Sequence, residues 1–211
     1  MENLFYITIG RQLGSGGRAI GEKLAAQLRI AFYDKELIYL ASQKSGIGKE
    51  FFEEIDEKKT HSIFPSLLGM RTPLIDDHYA SYYLSNETLF KIQSDVIRGL
   101  AEKQSCIFVG RCADYTLKDR PNGLNVFISA NKEDRIKRVA MLQGLTEQKA
   151  KELIEKIDKR RAAYYNYYSD KIWGAASSYH LCVNSSVLGI DETAAFIRRF
   201  AEKRFGLGGG A

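Results

Sequence analysis

The sequence predicts an α/β protein in three layers, a parallel five-stranded sheet between helices, and three observations carry that prediction. Five short apolar runs, at 4–10, 30–34, 106–111, 124–130 and 179–184, alternate with stretches of helical periodicity. Uninterrupted apolar strands belong to sheets buried on both faces, and their alternation with helices makes such a sheet parallel. The chain opens with a strand, a glycine-rich turn, a helix and a second strand, a βαβ unit whose crossover is almost always right-handed. Its 211 residues, 45% hydrophobic and 27% charged, suffice for one well-buried core. One domain is expected over 1–205, with 206–211 (GLGGGA) as a flexible tail.

The elements follow in order. LFYITIG at 4–10 is a buried strand, and 17–29 is a helix with Ile20, Leu24 and Leu28 on one face. Ile30–Asp34 makes the second strand and ends in a carboxylate. Helical patterns occupy 35–59, broken at Ser45-Gly46-Ile47-Gly48; from about 60 to 80 periodicity fades around Pro65, Gly69 and Pro73, which predicts irregular turns. A helix is expected from Asn86 to Lys103, with Leu89, Ile92, Val96, Ile97 and Leu100 inward. Cys106–Arg111 is a buried strand that delivers an arginine at its carboxyl end, where open α/β sheets bind ligands. The turn Pro121-Asn122-Gly123 leads into strand 124–130. Helix 132–143 comes next, and its Arg135 and Arg138 read as part of a solvated face. Thr146 is the expected N-cap of a long helix to Tyr168, Tyr179–Asn184 is the last strand, and Asp191 opens a closing helix to Arg204.

Chemistry concentrates in Gly10-Arg11-Gln12-Leu13-Gly14-Ser15-Gly16-Gly17-Arg18. Glycines in such a turn let successive N–H groups converge on one anion, and the following helix aims its positive end at the same point. The usual G-x-x-x-x-G-K-[ST] loop puts Lys on the terminal phosphates and Ser or Thr on magnesium. Here Gly17 and Arg18 stand where that pair belongs. Candidate phosphate- or nucleotide-binding residues are therefore Arg11, Gly14, Ser15, Gly16, Gly17 and Arg18. Arg18 is the first candidate to replace the lysine and Arg11 the second, and Ser15, standing before the last glycine, is poorly placed for magnesium.

The chain resembles the cytidylate kinase-like family of P-loop nucleoside monophosphate kinases. The resemblance runs over nearly its whole length and is carried by GRQLGSGGRAIG at 10–21, FYD at 32–34, VGR at 109–111, VFISA with EDRIKR over 126–138, and DKRRAAYY at 158–165. It implies a P-loop NTPase fold, a helical acceptor-binding segment at 35–85 and a lid-like segment at 144–170. It also implies transfer of the γ-phosphoryl of ATP, assisted by Mg2+, to a small acceptor, with CMP or dCMP the leading choice. In that reading Arg111 holds the acceptor phosphate, Asp34 faces the acceptor's sugar or a magnesium ion, Arg160 and Arg161 close over the donor, and Arg18, Arg160 and Arg161 serve catalysis. Arginine suits these tasks because its planar fork grips phosphate through two hydrogen bonds.

Two other readings fit some of the same residues. A fold that kept the anion cradle and lost the lysine would be a non-catalytic nucleotide- or phosphate-binding module. Gly14-Ser15-Gly16-Gly17-Arg18-Ala19 also matches the dinucleotide fingerprint G-x-G-x-x-[GA], with Asp34 at the distance of a ribose-binding acid. Against that, Arg11, Gln12 and Leu13 separate the fingerprint from the strand end, where a dinucleotide loop begins almost at once. Cys106, Cys112 and Cys182, an odd number, make no disulfide framework, and with His61, His78 and His180 they match no metal-ligand spacing, so no metal site is assigned. A net charge of +5 suits a phosphorylated small molecule as well as a nucleic acid, and no basic run interleaved with aromatics favours the latter. The tyrosines Tyr164, Tyr165, Tyr167 and Tyr168 with Trp173 read as packing. No leader pattern or membrane-length apolar run is visible, so a cytoplasmic protein without membrane partners is expected.

Overall fold

In the computed structural model, residues 4–34 and 79–207 are described, with side chains in the second stretch from Glu87 onward. Five strands form one parallel sheet: β1 (Tyr6–Arg11), β2 (Ala31–Tyr33), β3 (Cys106–Val109), β4 (Gly123–Ser129) and β5 (Leu181–Asn184). Their spatial order is β2-β3-β1-β4-β5, so β1 is central, and Ile9 lies between Val109 and Val126 in register. Most of the expected segment 35–85 lies outside the described residues, apart from the backbone of 79–86.

Alternation along each strand sorts its side chains onto two cores. Ile7, Ile9, Ile107, Val109, Leu124, Val126 and Ile128 face helices α1 (Gly17–Leu28) and α6 (Ser185–Phe205), meeting Ile20, Leu24, Ala194, Ile197 and Ala201. Tyr6, Cys106 and Phe108 face α2 (Tyr79–Lys103) through its Val96, Ile97 and Ala101. The four-residue spacing of Ile20 and Leu24 thus does what amphipathic patterning demands: both are fully buried. Three further α-helices lie among the described residues: α3 (Ala113–Thr116), α4 (Lys132–Gln143) and α5 (Glu147–Tyr168). The last two pack on each other through Val139, Ala140, Ala150 and Ile154, with Leu13 of the glycine-rich loop against them.

Thr146 caps α5, its hydroxyl accepting from the Lys149 N–H at 3.4 Å. The closing helix differs from expectation. It begins at Ser185, with the Asn184 side chain accepting from the Ser186 N–H at 2.9 Å, and kinks at Gly189 (φ 74°) before continuing. Periodicity fails across that kink, which is why the pattern becomes regular only at Asp191. Among the described residues no helix is long and apolar enough to cross a membrane.

Candidate functional site

The loop between β1 and α1 stands at the carboxyl edge of the central strand. Gly14 and Gly16 are left-handed, with φ of 80° and 75°. A Cβ on Gly14 would lie 2.7 Å from the Arg135 carbonyl oxygen, so only glycine lets the loop press this closely on α4. Gly16 is the N-cap of α1 and brings no side chain to it; the Gly17 N–H goes to the Ser15 hydroxyl at 3.3 Å, and no acidic residue stands in the first turn. The first N–H groups of a helix have no partner within it, and its dipole favours negative charge there. Beyond the Gly17 N–H, this helix end has no side-chain cap from Gly16 and no carboxylate in its first turn, which suits an anion.

The loop is held from outside by α4 and α5. Asp158 accepts the Leu13 N–H at 2.8 Å and pairs with the Arg135 guanidinium, and Arg135 Nε donates to the Leu13 carbonyl at 2.7 Å. Arg138 donates to the Gly14 carbonyl. The sequence reading placed Arg135 and Arg138 on a solvated face; instead Arg135 is only 7% exposed and both grip the loop. Arg135 shares the i, i+4 stripe with buried Val139, and that coincidence with the apolar face was the available signal. Ser185, buried, donates to the Ser15 carbonyl at 2.7 Å, so α6 braces the loop from the other side.

The expected arginines separate into three places. Arg11 and Arg111 meet at the end of β3, where Gly110, Arg111 and Cys112 are left-handed in succession, with φ of 81°, 58° and 49°. Each non-glycine residue in that region costs roughly 1–2 kcal/mol, and such outliers cluster at functional sites. The bend makes room for Arg11, whose guanidinium would overlap any Cβ at Gly110. Arg111 lies with its guanidinium carbon 5.4 Å from the centre of the Tyr164 ring, and its buried Nε has no hydrogen-bond partner among the described residues. Arg161, half-buried on α5, donates to the Arg11 carbonyl at 3.0 Å and joins the same cluster. Burial, ahead of the repulsion from Arg111 and Arg135, pulls its pKa down to about 10 against the opposing effect of Asp158, and it stays charged at neutral pH.

Arg18 lies elsewhere. Its Nε donates to Asp34 Oδ2 at 2.8 Å and its Nη1 pairs with Glu22 at 2.8 Å, so the guanidinium faces the end of β2. Asp34 is 3% exposed. Arg160 is exposed on α5 beside Arg161. Ser15 is fully buried; its hydroxyl donates to the Gln12 carbonyl at 2.9 Å and accepts the Gly17 N–H at 3.3 Å.

The tyrosines that flank this site are mostly packing. Phe90 and Tyr168 stack at 4.1 Å, and Tyr165 donates a buried hydrogen bond of 2.7 Å to Asp114. Tyr164 is the exception, since it forms the platform under Arg111. Burial raises its hydroxyl pKa, so the ring stays neutral against the cation. Cys106 and Cys112 are buried thiols whose pKa burial raises to about 12, which removes them as nucleophiles.

An anion loop at the end of central β1, the order β2-β3-β1-β4-β5 and an arginine cluster on the neighbouring strand end define a protein of the P-loop kinase fold. Several solved structures share it. An uncharacterized protein from Eubacterium ventriosum ATCC 27560 is 28% identical, with a TM-score of 0.69 over 94% of this chain and 98% of that one. A shikimate kinase from Acinetobacter baumannii, solved with shikimate, has 15% identity and a TM-score of 0.52 over 96% and 95%. A gluconokinase from Sinorhizobium meliloti 1021 has 13% and 0.51 over 96% and 92%. The two kinases are likenesses of fold alone. No curated protein sequence matches the chain. The chain belongs to the cytidylate kinase-like family, whose model matches residues 6–187.

Proposed function

We propose that the protein transfers the γ-phosphoryl of ATP to a small acceptor, with a nucleoside monophosphate such as CMP or dCMP the leading candidate. The observation that supports this reading is the gathering of Arg11, Arg111 and Arg161 near the start of α1, whose first turn holds no carboxylate, in a loop without the usual lysine. Phosphoryl transfer asks a protein chiefly for positioning and for positive charge around the transferred group. Preformed donors in a partly buried site give that charge more weight than it has in water.

The residues fit a triphosphate. The N–H groups at the start of α1 and the cradle at Gly14 and Gly16 suit its phosphates, and the Arg11–Arg111–Arg161 cluster suits charge shared between donor and acceptor. The Asp34–Arg18 pair would face the acceptor. Magnesium, which would help neutralise the phosphates, fits the loop less well: the Ser15 hydroxyl is turned inward to Gln12, and we assign the metal no protein ligand. The residues at 144–170, including Arg160, keep the proposed role of closing over the donor.

A non-catalytic binding module is the second reading, and one observation favours it: Arg18, which stands where the lysine is missing, is directed to Asp34 and Glu22. ATP consumption with magnesium across a panel of nucleoside monophosphates and small hydroxylated metabolites, with calorimetry in parallel, separates the two. Turnover on any acceptor supports the kinase. Tight ATP binding without turnover supports the module, and neither would sink both.

Two substitutions test the geometry. Arg18→Ala is expected to raise the acceptor's KM about tenfold, the loss of one charge-assisted contact, and to leave the KM for ATP within about twofold. A rise in the KM for ATP alone would return Arg18 to the donor phosphates. Gly110→Ala is expected to weaken ATP binding by calorimetry about tenfold, because its Cβ displaces the Arg11 guanidinium, and to cost roughly 1–2 kcal/mol through the left-handed backbone. Unchanged ATP affinity would remove Arg11 from the anion site.

A further inference from the structure

At the amino-terminal edge of the sheet, away from the phosphate-binding loop, a cleft of about 270 Å³ opens between the starts of β1 and β4 and the end of α6. Its size lies near the lower limit for small-molecule sites, roughly 300 Å³. Lys118, Arg120, Lys171 and Arg204 line it together with His180, against a single carboxylate, Asp114. That carboxylate is already committed. It is 5% exposed, accepts the Tyr165 hydroxyl at 2.7 Å, and has Lys171 Nζ at 3.7 Å, so it is not free to swing toward the other cations. Lys118 rests on the Tyr115 ring at 4.3 Å and Arg204 lies 5.9 Å from the centre of Phe205, and neither has a carboxylate partner among the described residues.

His180 completes the lining. Its Nδ1 accepts the Asn125 N–H at 3.0 Å, which places the proton of the neutral ring on Nε2 and makes that nitrogen a donor. Burial, then Arg204 and Lys171, lower its pKa below the ordinary value, against a smaller opposing effect of Asp114. With Lys171 paired to Asp114 and Arg120 donating to the Ala101 carbonyl at 2.8 Å, the lining still carries more positive than negative charge beside a neutral ring; the excess cations repel one another unless an anion enters, and a concave wall concentrates their field.

We propose that this cleft binds a small phosphorylated anion, at a site separate from the phosphate-binding loop. The cation count selects dense negative charge, and the rings of Tyr6 and His180 with the Pro121–Gly123 turn set the limited space around it. This inference does not depend on the function proposed above: His180, Lys118, Arg120 and Arg204 line the cleft and have no part in that reading.

The test is imidazole NMR of His180, assigned by its loss in His180→Gln, while inorganic phosphate or pyrophosphate is added at constant ionic strength. Constant ionic strength matters because salt alone screens Arg204 and Lys171 and would raise the pKa without binding. A saturable rise of at least about 0.5 in the His180 pKa is expected as those cations are neutralised. In Lys118→Gln/Arg204→Gln the starting pKa should be higher and the phosphate response lost. Both side chains are exposed, so the thermal unfolding midpoint should stay near wild type. A His180 that ignores phosphate, responds equally to chloride, or keeps its response in the double variant would overturn the site.

Discussion

Arg111→Asn should leave the protein folded and reduce turnover by about 10²–10³-fold, the usual cost of removing one preformed donor to a transition-state anion. Asparagine is chosen because residue 111 has φ 58°, a region asparagine enters more readily than other L-residues. The substitution therefore keeps the backbone bend at 110–112 and deletes only the cation. Calorimetric melting should stay within about 1 kcal/mol of wild type, since the Arg111 Nε is buried without a hydrogen-bond partner among the described residues and little is lost with it. If Arg111 serves the transition state, kcat falls and the KM for ATP hardly moves. A variant with normal kcat would restrict Arg111 to packing on Tyr164 and would remove the cluster as the basis of the kinase reading.

Asp158→Ala should produce the largest loss of stability, about 3 kcal/mol, because it strands the nearly buried Arg135 cation. For a domain of this size that corresponds to a drop of roughly 6–12 °C in Tm. The Leu13 N–H loses its acceptor in the same step, so the loop loosens and ATP affinity falls with stability. Asp158→Ala combined with Arg135→Met should recover part of the loss, since no uncompensated charge remains. A single variant as stable as wild type would show that Arg138 and Ser185 hold the loop without help from this pair.

These two residues mark the limits of what a linear reading could see. Arg111 was legible, because an arginine directly after a buried apolar strand falls on the sheet's carboxyl edge by construction. Asp158 and Arg135 were not. Each looks like an ordinary charge on a charge-rich helix, and only the packing of α4 against α5 brings them to the loop. Arg18 shows the converse: its position at the start of α1 suggested the anion, whereas its side chain runs to Asp34, which the βαβ crossover brings alongside.

The sequence by itself determined the class of fold, the place of the glycine-rich loop and the family. These depend on local signals: short continuous apolar runs for the strands, helix periodicity near four, and glycines at fixed offsets between them. Tertiary structure alone decided which arginines share a site. Arg11, Arg111 and Arg161 lie up to 150 residues apart and come together through sheet register and one hydrogen bond from the Arg161 guanidinium to the Arg11 carbonyl. A guanidinium reaches several ångströms from its Cα. Its target is therefore set by the packing of elements distant in the chain, which no local pattern records.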